Sequence, residues 1–139
     1  MTDECVLVTG GAGYIGSHVS LALLETGRRV VVVDNLVTGR RELVPDAATF
    51  IEADVSDMPA MVRVLRGYEC SAVLHFAGST VVPESVADPL KYYRNNTSAS
   101  RSLLEAVVEC GVSRFIFSST AAVYGNPERL PIDETAPLN

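Results

Sequence analysis

The chain has 139 residues and a formal net charge of −6, with 47% hydrophobic and 20% charged residues. This length suits one domain with a single core, and the composition is that of a globular protein, not of a disordered one. The basic residues cluster only as Arg28-Arg29 and Arg40-Arg41, and no apolar run approaches the roughly eighteen residues of a membrane span, so neither nucleic acid nor a membrane is an expected partner.

Five predicted strands alternate with helices along the chain. Short apolar runs, rich in β-branched residues, predict strands at 6–8, 29–33, 49–53, 72–76 and 112–117. Apolar residues at helical spacing predict helices at 14–25, 58–66 and 89–110, each closed by a glycine within two residues. Asp57 suits the N-cap of the second helix, and Pro89 suits the first turn of the third. Residues 119–139, with three prolines, are predicted to be irregular.

This alternation predicts the fold class. Strands that alternate with helices indicate βαβ units and a parallel sheet. Right-handed crossovers then favour the strand order 3-2-1-4-5. The expectation is an α/β protein with a Rossmann-type doubly wound sheet that stops after about five strands, forming one domain over residues 1–139.

A glycine-rich turn links the first strand to the first helix. It reads Gly10-Gly-Ala-Gly13-Tyr-Ile-Gly16, which is one residue wider than the simplest dinucleotide fingerprint. A pyrophosphate that approaches bare backbone here meets the N–H groups at the helix N-terminus. The alternative is that the glycines serve only the tight packing of strand against helix.

Asp34 ends the second strand, eighteen residues after Gly16. An acid at this place can accept hydrogen bonds from the adenosine ribose, and its charge repels a 2′-phosphate. Arg40 and Arg41 follow the acid and do not replace it. The turn, the acid and the βαβ spacing together predict NAD, in preference to NADP, as the cofactor.

The three cysteines stand far apart, at Cys5, Cys70 and Cys110, with no Cys-x-x-Cys motif. We expect buried, reduced thiols in a cytoplasmic protein. The acidic start Met-Thr-Asp-Glu is unlike a signal peptide, in agreement with that location.

Several stretches together resemble the extended short-chain dehydrogenase/reductase family, and more narrowly UDP-glucose 4-epimerases. The resemblance covers essentially the whole chain, and no single motif carries it. Its main stretches are Val8-Thr-Gly-Gly-Ala-Gly-Tyr-Ile-Gly-Ser-His18, Asp34-Asn-Leu36, His75-Phe-Ala-Gly78, Glu84-Ser-Val86, Tyr92-Tyr-Arg-Asn-Asn96 and Phe115 to Gly125.

The resemblance implies a set of NAD-binding residues. The pyrophosphate would lie on Gly10, Gly13, Tyr14, Ile15 and Gly16, and the adenosine side on Asp34, Asn35, Leu36, Thr38, Asp54 and Val55. The end of the fourth strand and the long helix would add Phe76, Ala77, Gly78, Thr80 and Asn95. Thr80 is a departure, since several epimerases carry a lysine there near the phosphates.

Two of these assignments have structural alternatives, and so have two further residues, Thr120 and His75. Asp54 can act as a capping or loop carboxylate, and Asn95 can be a buried amide that satisfies backbone. Thr120 matches the catalytic Ser or Thr of the family, which binds the sugar 4-hydroxyl, but it can also be a plain hydroxyl at a strand end. His75 has apolar neighbours in the sequence, and we interpret it as a core histidine and not as a base.

The base of this family is a tyrosine followed four residues later by a lysine, whose charge lowers the tyrosine pKa. The 139 residues contain no Tyr-x-x-x-Lys, and Lys91 is the only lysine. Tyr124 is expected to pack and not to act as an acid or base. The chain therefore resembles the front portion of an epimerase that ends before its base.

By resemblance, the complete protein interconverts UDP-galactose and UDP-glucose through a 4-keto intermediate with bound NAD. Its expected partners are a UDP-hexose and a second copy in a homodimer. The alternatives are another sugar-nucleotide enzyme (a 4,6-dehydratase, a uronate epimerase or a decarboxylase) and a non-catalytic NAD-binding module. The 139-residue chain alone is expected to bind without turnover, because the residue for general base catalysis is absent.

Overall fold

A computed structural model describes residues 4–127 and 129–138 of the chain. Five parallel strands form one sheet in the order β3-β2-β1-β4-β5, which confirms the predicted fold class and strand order. The strands are β1 (Cys5–Thr9), β2 (Arg29–Asp34), β3 (Thr49–Glu52), β4 (Cys70–His75) and β5 (Arg114–Phe117).

Five helices flank the sheet, and α1 and α2 lie where the apolar spacing predicts them. They are α1 (Tyr14–Glu25), α2 (Met58–Gly67), α3 (Val82–Ala87), α4 (Pro89–Tyr92) and α5 (Ala99–Glu109). Asp57 caps α2 as predicted, because its carboxylate accepts a 2.9 Å hydrogen bond from the N–H of Ala60. Single 3-10 turns occupy Arg41–Leu43 and Ala121–Tyr124.

The predicted long helix at 89–110 is present but not uniform. It consists of α4, a π-helical turn at Tyr93–Ser98 and α5. The short α3 before it was not predicted, because six residues give too little periodicity to separate a helical turn from a loop.

Two apolar layers pack on opposite faces of the sheet. One contains α2 and α5, whose Met61, Leu65 and Leu103 lie in a cluster with Leu7 of β1. The other lies under α1 and the 41–48 segment, and it includes Val8 of β1. Because β1 and β2 are buried on both faces, their runs of valine need no polar alternation.

The carboxyl ends of the parallel strands meet at one edge of the sheet, which places the segments after Thr9, Asp34, Glu52, His75 and Phe117 together. This is the edge where open α/β sheets bind ligands. Within the described residues, no helix combines the length and the apolar character that a membrane crossing requires.

Candidate functional site

The glycine-rich turn is packed against itself and against the end of β4. A Cβ atom on Gly10, whose φ is +70°, would lie 2.5 Å from the N atom of Ala77, and one on Gly16 would lie 2.3 Å from the carbonyl oxygen of Gly10. Gly13 is less confined, since a Cβ atom on it would lie 3.2 Å from its nearest neighbour, the carbonyl oxygen of Gly10. Tight packing therefore requires Gly10 and Gly16, and the same packing leaves bare backbone at the N-terminus of α1.

The start of α1 is open to a ligand. Tyr14 and Ile15 are 78% and 57% exposed, so neither side chain is packed into the core. The first N–H groups of a helix have no intrahelical acceptor and carry positive partial charge. Gly13 at the N-cap supplies no side chain to occupy them.

Asp34 is held next to this turn. Its Oδ2 accepts a 3.0 Å hydrogen bond from the N–H of Ala12, and its Oδ1 accepts a 2.9 Å bond from the N–H of Leu36. The residue is 8% exposed. Each carboxylate oxygen keeps a second lone pair, so the group can accept further hydrogen bonds from ligand hydroxyls.

The loop after Asp34 is closed by main-chain contacts. The N–H of Arg40 donates to the carbonyl of Ala12 at 2.9 Å, and a Cβ on Gly39 would lie 2.7 Å from Asp34 Oδ1. Leu36 has a φ of +55°, a strained conformation for a branched side chain. Thr38 is exposed on the same loop.

Asn35 and Asp54 are joined across the ends of β2 and β3. Asn35 Nδ2 donates to Asp54 Oδ2 at 2.8 Å, while Asp54 Oδ1 accepts from the N–H of Ser56 at 2.8 Å and from its hydroxyl at 2.6 Å. The hydrogen bonds from Ser56 lower the pKa of Asp54, against an opposing effect of burial. The loop-carboxylate alternative for Asp54 is thus present in the structure. Val55 is buried in the core, so its side chain is not available to a ligand.

The end of β4 lies directly on the glycine turn. The N–H of Phe76 donates to the carbonyl of Thr9 at 2.9 Å, and Ala77 is the residue that a Cβ on Gly10 would strike. Phe76 and Ala77 are half-buried, whereas Gly78 is exposed. Phe76 and Ala77 thereby lie next to the turn, and Gly78 follows them in the chain.

Two consecutive asparagines hold the next residue of this loop. Asn96 accepts from the N–H of Ser79 at 2.7 Å and donates to its carbonyl at 2.9 Å, while Asn95 Nδ2 donates to the Ser79 hydroxyl at 3.0 Å. Both lie in the π-helical turn, a feature that is frequent at functional sites. The sequence prediction included Asn95 but missed Asn96 and Ser79. An Asn-Asn pair inside a helical pattern was the available signal, because asparagine is a weak helix former.

The segment after Thr80 is tied to α4. The Tyr92 hydroxyl accepts a hydrogen bond from the N–H of Val81 at 2.9 Å and lies 2.9 Å from a Glu84 carboxylate oxygen. Lys91 forms an ion pair with the same Glu84. Burial, and then the hydrogen bond to Glu84, raises the pKa of Tyr92, while its hydrogen bond to Glu84 raises the pKa of Lys91. Because a raised pKa keeps the phenol protonated at neutral pH, Tyr92 is poorly suited to accept a proton. Thr80 itself is exposed.

Thr120 follows β5, the neighbour of β4. Its Oγ1 accepts a 3.2 Å hydrogen bond from the N–H of Ala122, which makes it the N-cap of the 3-10 turn at Ala121–Tyr124. The side chain is exposed, and its hydroxyl hydrogen remains able to donate. Thr120 thus has a structural role at a strand end and a free donor at the same edge of the sheet.

His75 is a structural residue and not part of the open site. It is buried between two hydroxyls, with Nδ1 2.6 Å from Thr9 Oγ1 and Nε2 2.7 Å from Ser100 Oγ. Burial lowers its pKa to about 4, so the ring is neutral at physiological pH. This agrees with its interpretation as a core histidine.

The fold and the site define a Rossmann-like domain with a dinucleotide-type glycine turn. The NAD dependent epimerase/dehydratase family matches residues 6–139, and the chain belongs to that family. It is 54% identical to the UDP-glucose 4-epimerase of Azospirillum brasilense over 99% of this chain and 41% of that protein. It is 45% identical to the UDP-glucose 4-epimerase of Klebsiella pneumoniae, covering 94% of this chain and 99% of that sequence.

Solved structures give the same result. A UDP-glucose 4-epimerase from Brucella ovis, in complex with NAD, superposes with a TM-score of 0.88 at 46% identity, covering 98% of this chain and 42% of that one. The Thermus thermophilus UDP-glucose 4-epimerase in complex with NAD gives a TM-score of 0.87 at 42% identity, covering 97% and 44%. The chain thus spans about two fifths of the length of most of these relatives.

Proposed function

We propose that this chain binds NAD at the carboxyl edge of its sheet and forms the NAD-binding part of a UDP-glucose 4-epimerase. One observation carries the proposal: the carboxylate of Asp34 is fixed by the N–H of Ala12, within the glycine turn itself. That contact places an anionic acceptor for ribose hydroxyls directly beside the bare backbone suited to a pyrophosphate.

The residues at this edge fit the cofactor. Gly10, Gly13, Tyr14, Ile15 and Gly16 would hold the pyrophosphate, and Asp34 with Asn35, Leu36 and Thr38 the adenosine ribose side. Asp54 and the Val55 backbone would meet adenine. The end of the fourth strand and the long helix would add Phe76, Ala77, Gly78, Thr80 and Asn95 to the cofactor site. When bound, NAD supplies hydride transfer, and these residues bind and orient it.

In the complete protein we propose interconversion of UDP-galactose and UDP-glucose, with Thr120 donating a hydrogen bond to the sugar 4-hydroxyl. The exposed hydroxyl of Thr120 at the ligand edge supports this role. The proposal includes a cytoplasmic homodimer. The exposed Leu104 and Val108 on α5 provide an apolar face suited to a subunit contact.

For the 139 residues themselves we propose NAD binding without turnover. The only lysine, Lys91, is paired with Glu84 and is not set four residues after any tyrosine. Tyr92 has a raised pKa and therefore cannot replace the missing base.

Two measurements on the 139-residue chain test the proposal. Isothermal titration with NAD is expected to show binding that Asp34→Asn weakens at least tenfold, because an amide turns a donor toward the N–H of Ala12 or of Leu36. Asp46→Asn, an exposed acid before β3 at the opposite edge, is the matched control and is expected to bind as the wild type does. Absence of NAD binding by folded chain contradicts the binding role.

Turnover is measured separately. Incubation with UDP-galactose and NAD is expected to give no UDP-glucose from the 139 residues, and conversion from a protein extended to the full length of its relatives, with a Tyr-x-x-x-Lys segment. Conversion by the shorter chain contradicts the role assigned to the absent base. Dehydration or decarboxylation by the extended protein would favour the other sugar-nucleotide enzymes.

A further inference from the structure

Cys5 and Cys70 form a buried dithiol within the sheet. Their Sγ atoms lie 3.7 Å apart, and the two residues are 1% and 6% exposed. Each is the first residue of its strand, β1 or β4, and the strand register pairs them directly. Both side chains belong to the apolar cluster on the α2 and α5 face, so they point to the same side of the sheet.

The backbone places these thiols within bonding reach. Neighbouring strands are separated by about 4.8 Å, and disulfides join residues whose Cα atoms lie roughly 4.4–6.8 Å apart. The register is irregular between Cys5 and Val6, which gives the first residue of β1 some freedom from the ladder. Both cysteines are free, and so is Cys110, which is half-buried at the end of α5.

We propose that Cys5 and Cys70 are a modification site, at which hydrogen peroxide closes the dithiol to an intramolecular disulfide linking β1 to β4. One thiolate attacks a peroxide oxygen, forming a sulfenic acid and releasing hydroxide. The second thiolate attacks that sulfenic sulfur, the S–S bond forms, and hydroxide leaves. The two protons lost by the thiols convert both hydroxides to water, so two thiols are oxidised by two electrons while one peroxide is reduced.

The surroundings make this reaction slow and dependent on the size of the oxidant. Burial, and then the nearby Cys5, raises the pKa of Cys70, so little thiolate exists at neutral pH. A small hydroperoxide reaches a buried pair more readily than a bulky disulfide does. The link would form at the amino edge of the sheet, opposite the glycine turn, and is expected to leave NAD binding unchanged.

Peptide mapping of the native chain tests the proposal. Trypsin places the three cysteines on separate peptides, at 1–28, 67–91 and 102–114. The protein is treated with hydrogen peroxide, its free thiols are alkylated in denaturant, and it is digested without reductant. The expected product, from monomeric protein, joins peptides 1–28 and 67–91 at a mass lower by two hydrogen atoms.

Matched variants separate this pair from general thiol oxidation. Cys110→Ser is expected to retain the linked product, and Cys70→Ala to abolish it. Wild type oxidised in urea is expected to form disulfides among all three cysteine peptides. This control does not depend on the folding of any variant. Three outcomes each overturn the proposal: a native link that involves peptide 102–114, a link formed only between two molecules, or oxidation of Cys5 and Cys70 to higher acids without any link.

Discussion

Asn96 holds both backbone polar groups of Ser79, through hydrogen bonds of 2.7 Å to its N–H and 2.9 Å to its carbonyl. Ser79 lies beyond the end of β4, where no neighbouring strand of the described residues pairs with its backbone. The Asn96 side-chain amide supplies these two hydrogen bonds instead. The loop that follows Gly78 is thereby fixed before any ligand arrives. Preorganisation of this kind reduces the entropy that binding must offset.

Asn96→Ala is expected to weaken NAD binding more than it weakens the fold. The side chain is exposed, so water can replace it, and the unfolding free energy should fall by only about 1 kcal/mol. NAD affinity should fall by about tenfold, because the loop must then be ordered on binding. Titration calorimetry and urea unfolding check the two values. Thr97→Ala, at an exposed neighbour in the same π-helical turn, is the matched control, and an equal loss of NAD affinity in both variants would contradict a special role for Asn96.

The glycines of the chain separate into required and replaceable ones. Gly10→Ala places a methyl group 2.5 Å from the Ala77 backbone at a φ of +70°, and we expect a loss of about 3 kcal/mol or failure to fold. Gly67→Ala meets no atom within 4 Å at the end of α2, and should be neutral or stabilising by up to about 1 kcal/mol. Thermal unfolding of both variants checks this. Similar midpoints for the two would show that the packing at Gly10 is not needed.

The type and order of the elements were predictable because they depend on the spacing of apolar residues and on chain connectivity. The bounds of α1 at Tyr14–Glu25 and the cap at Asp57 follow from periodicity and side-chain chemistry. The strand order follows from chain connectivity. The pairing of Cys5 with Cys70 was not predicted: the predicted strands began at Val6 and Ala72, and the order that makes β1 and β4 neighbours does not fix their register.

Site details were harder to predict, because they depend on local geometry. The π-helical turn gives Asn95 and Asn96 contacts to the same residue, and helical spacing alone does not place adjacent side chains together. The link between Asn35 and Asp54 depends on the loop conformation around Leu36. The residues predicted to bind NAD lie at one edge of the sheet, and their roles remain predictions.

The stability of the domain is expected to fall in acid through His75. Its pKa is about 4 in the folded state and 6.5 in an ordinary environment, so the unfolded chain binds more protons between these values. The contribution is complete above pH 6.5 and is lost as the pH falls toward 4. Each pH unit between the two pKa values changes the free energy of unfolding by about 1.4 kcal/mol. The whole interval therefore contributes up to about 3 kcal/mol of stability.

Urea unfolding between pH 4 and 7 measures this contribution. The groups around the ring are the hydroxyls of Thr9 and Ser100 and the rings of Phe115 and Phe117, none of which titrates in this range. His75→Gln is expected to flatten the pH dependence by the amount that His75 contributes. If His75→Gln keeps the wild-type slope, the pH dependence arises from groups other than His75.

The Tyr92 hydroxyl is expected to protect the loop before α3 from opening. It accepts from the N–H of Val81 at 2.9 Å, and Tyr92→Phe removes that acceptor without changing the ring. A hydrogen bond worth about 1 kcal/mol corresponds to roughly fivefold faster exchange of the Val81 amide. Hydrogen exchange followed by NMR measures this rate directly. Tyr93→Phe, at the exposed neighbouring tyrosine, is the matched control and should leave the rate unchanged. If both variants exchange at the wild-type rate, the loop is held by Asn96 and Ser79 alone, and the bond from Val81 to Tyr92 contributes no protection.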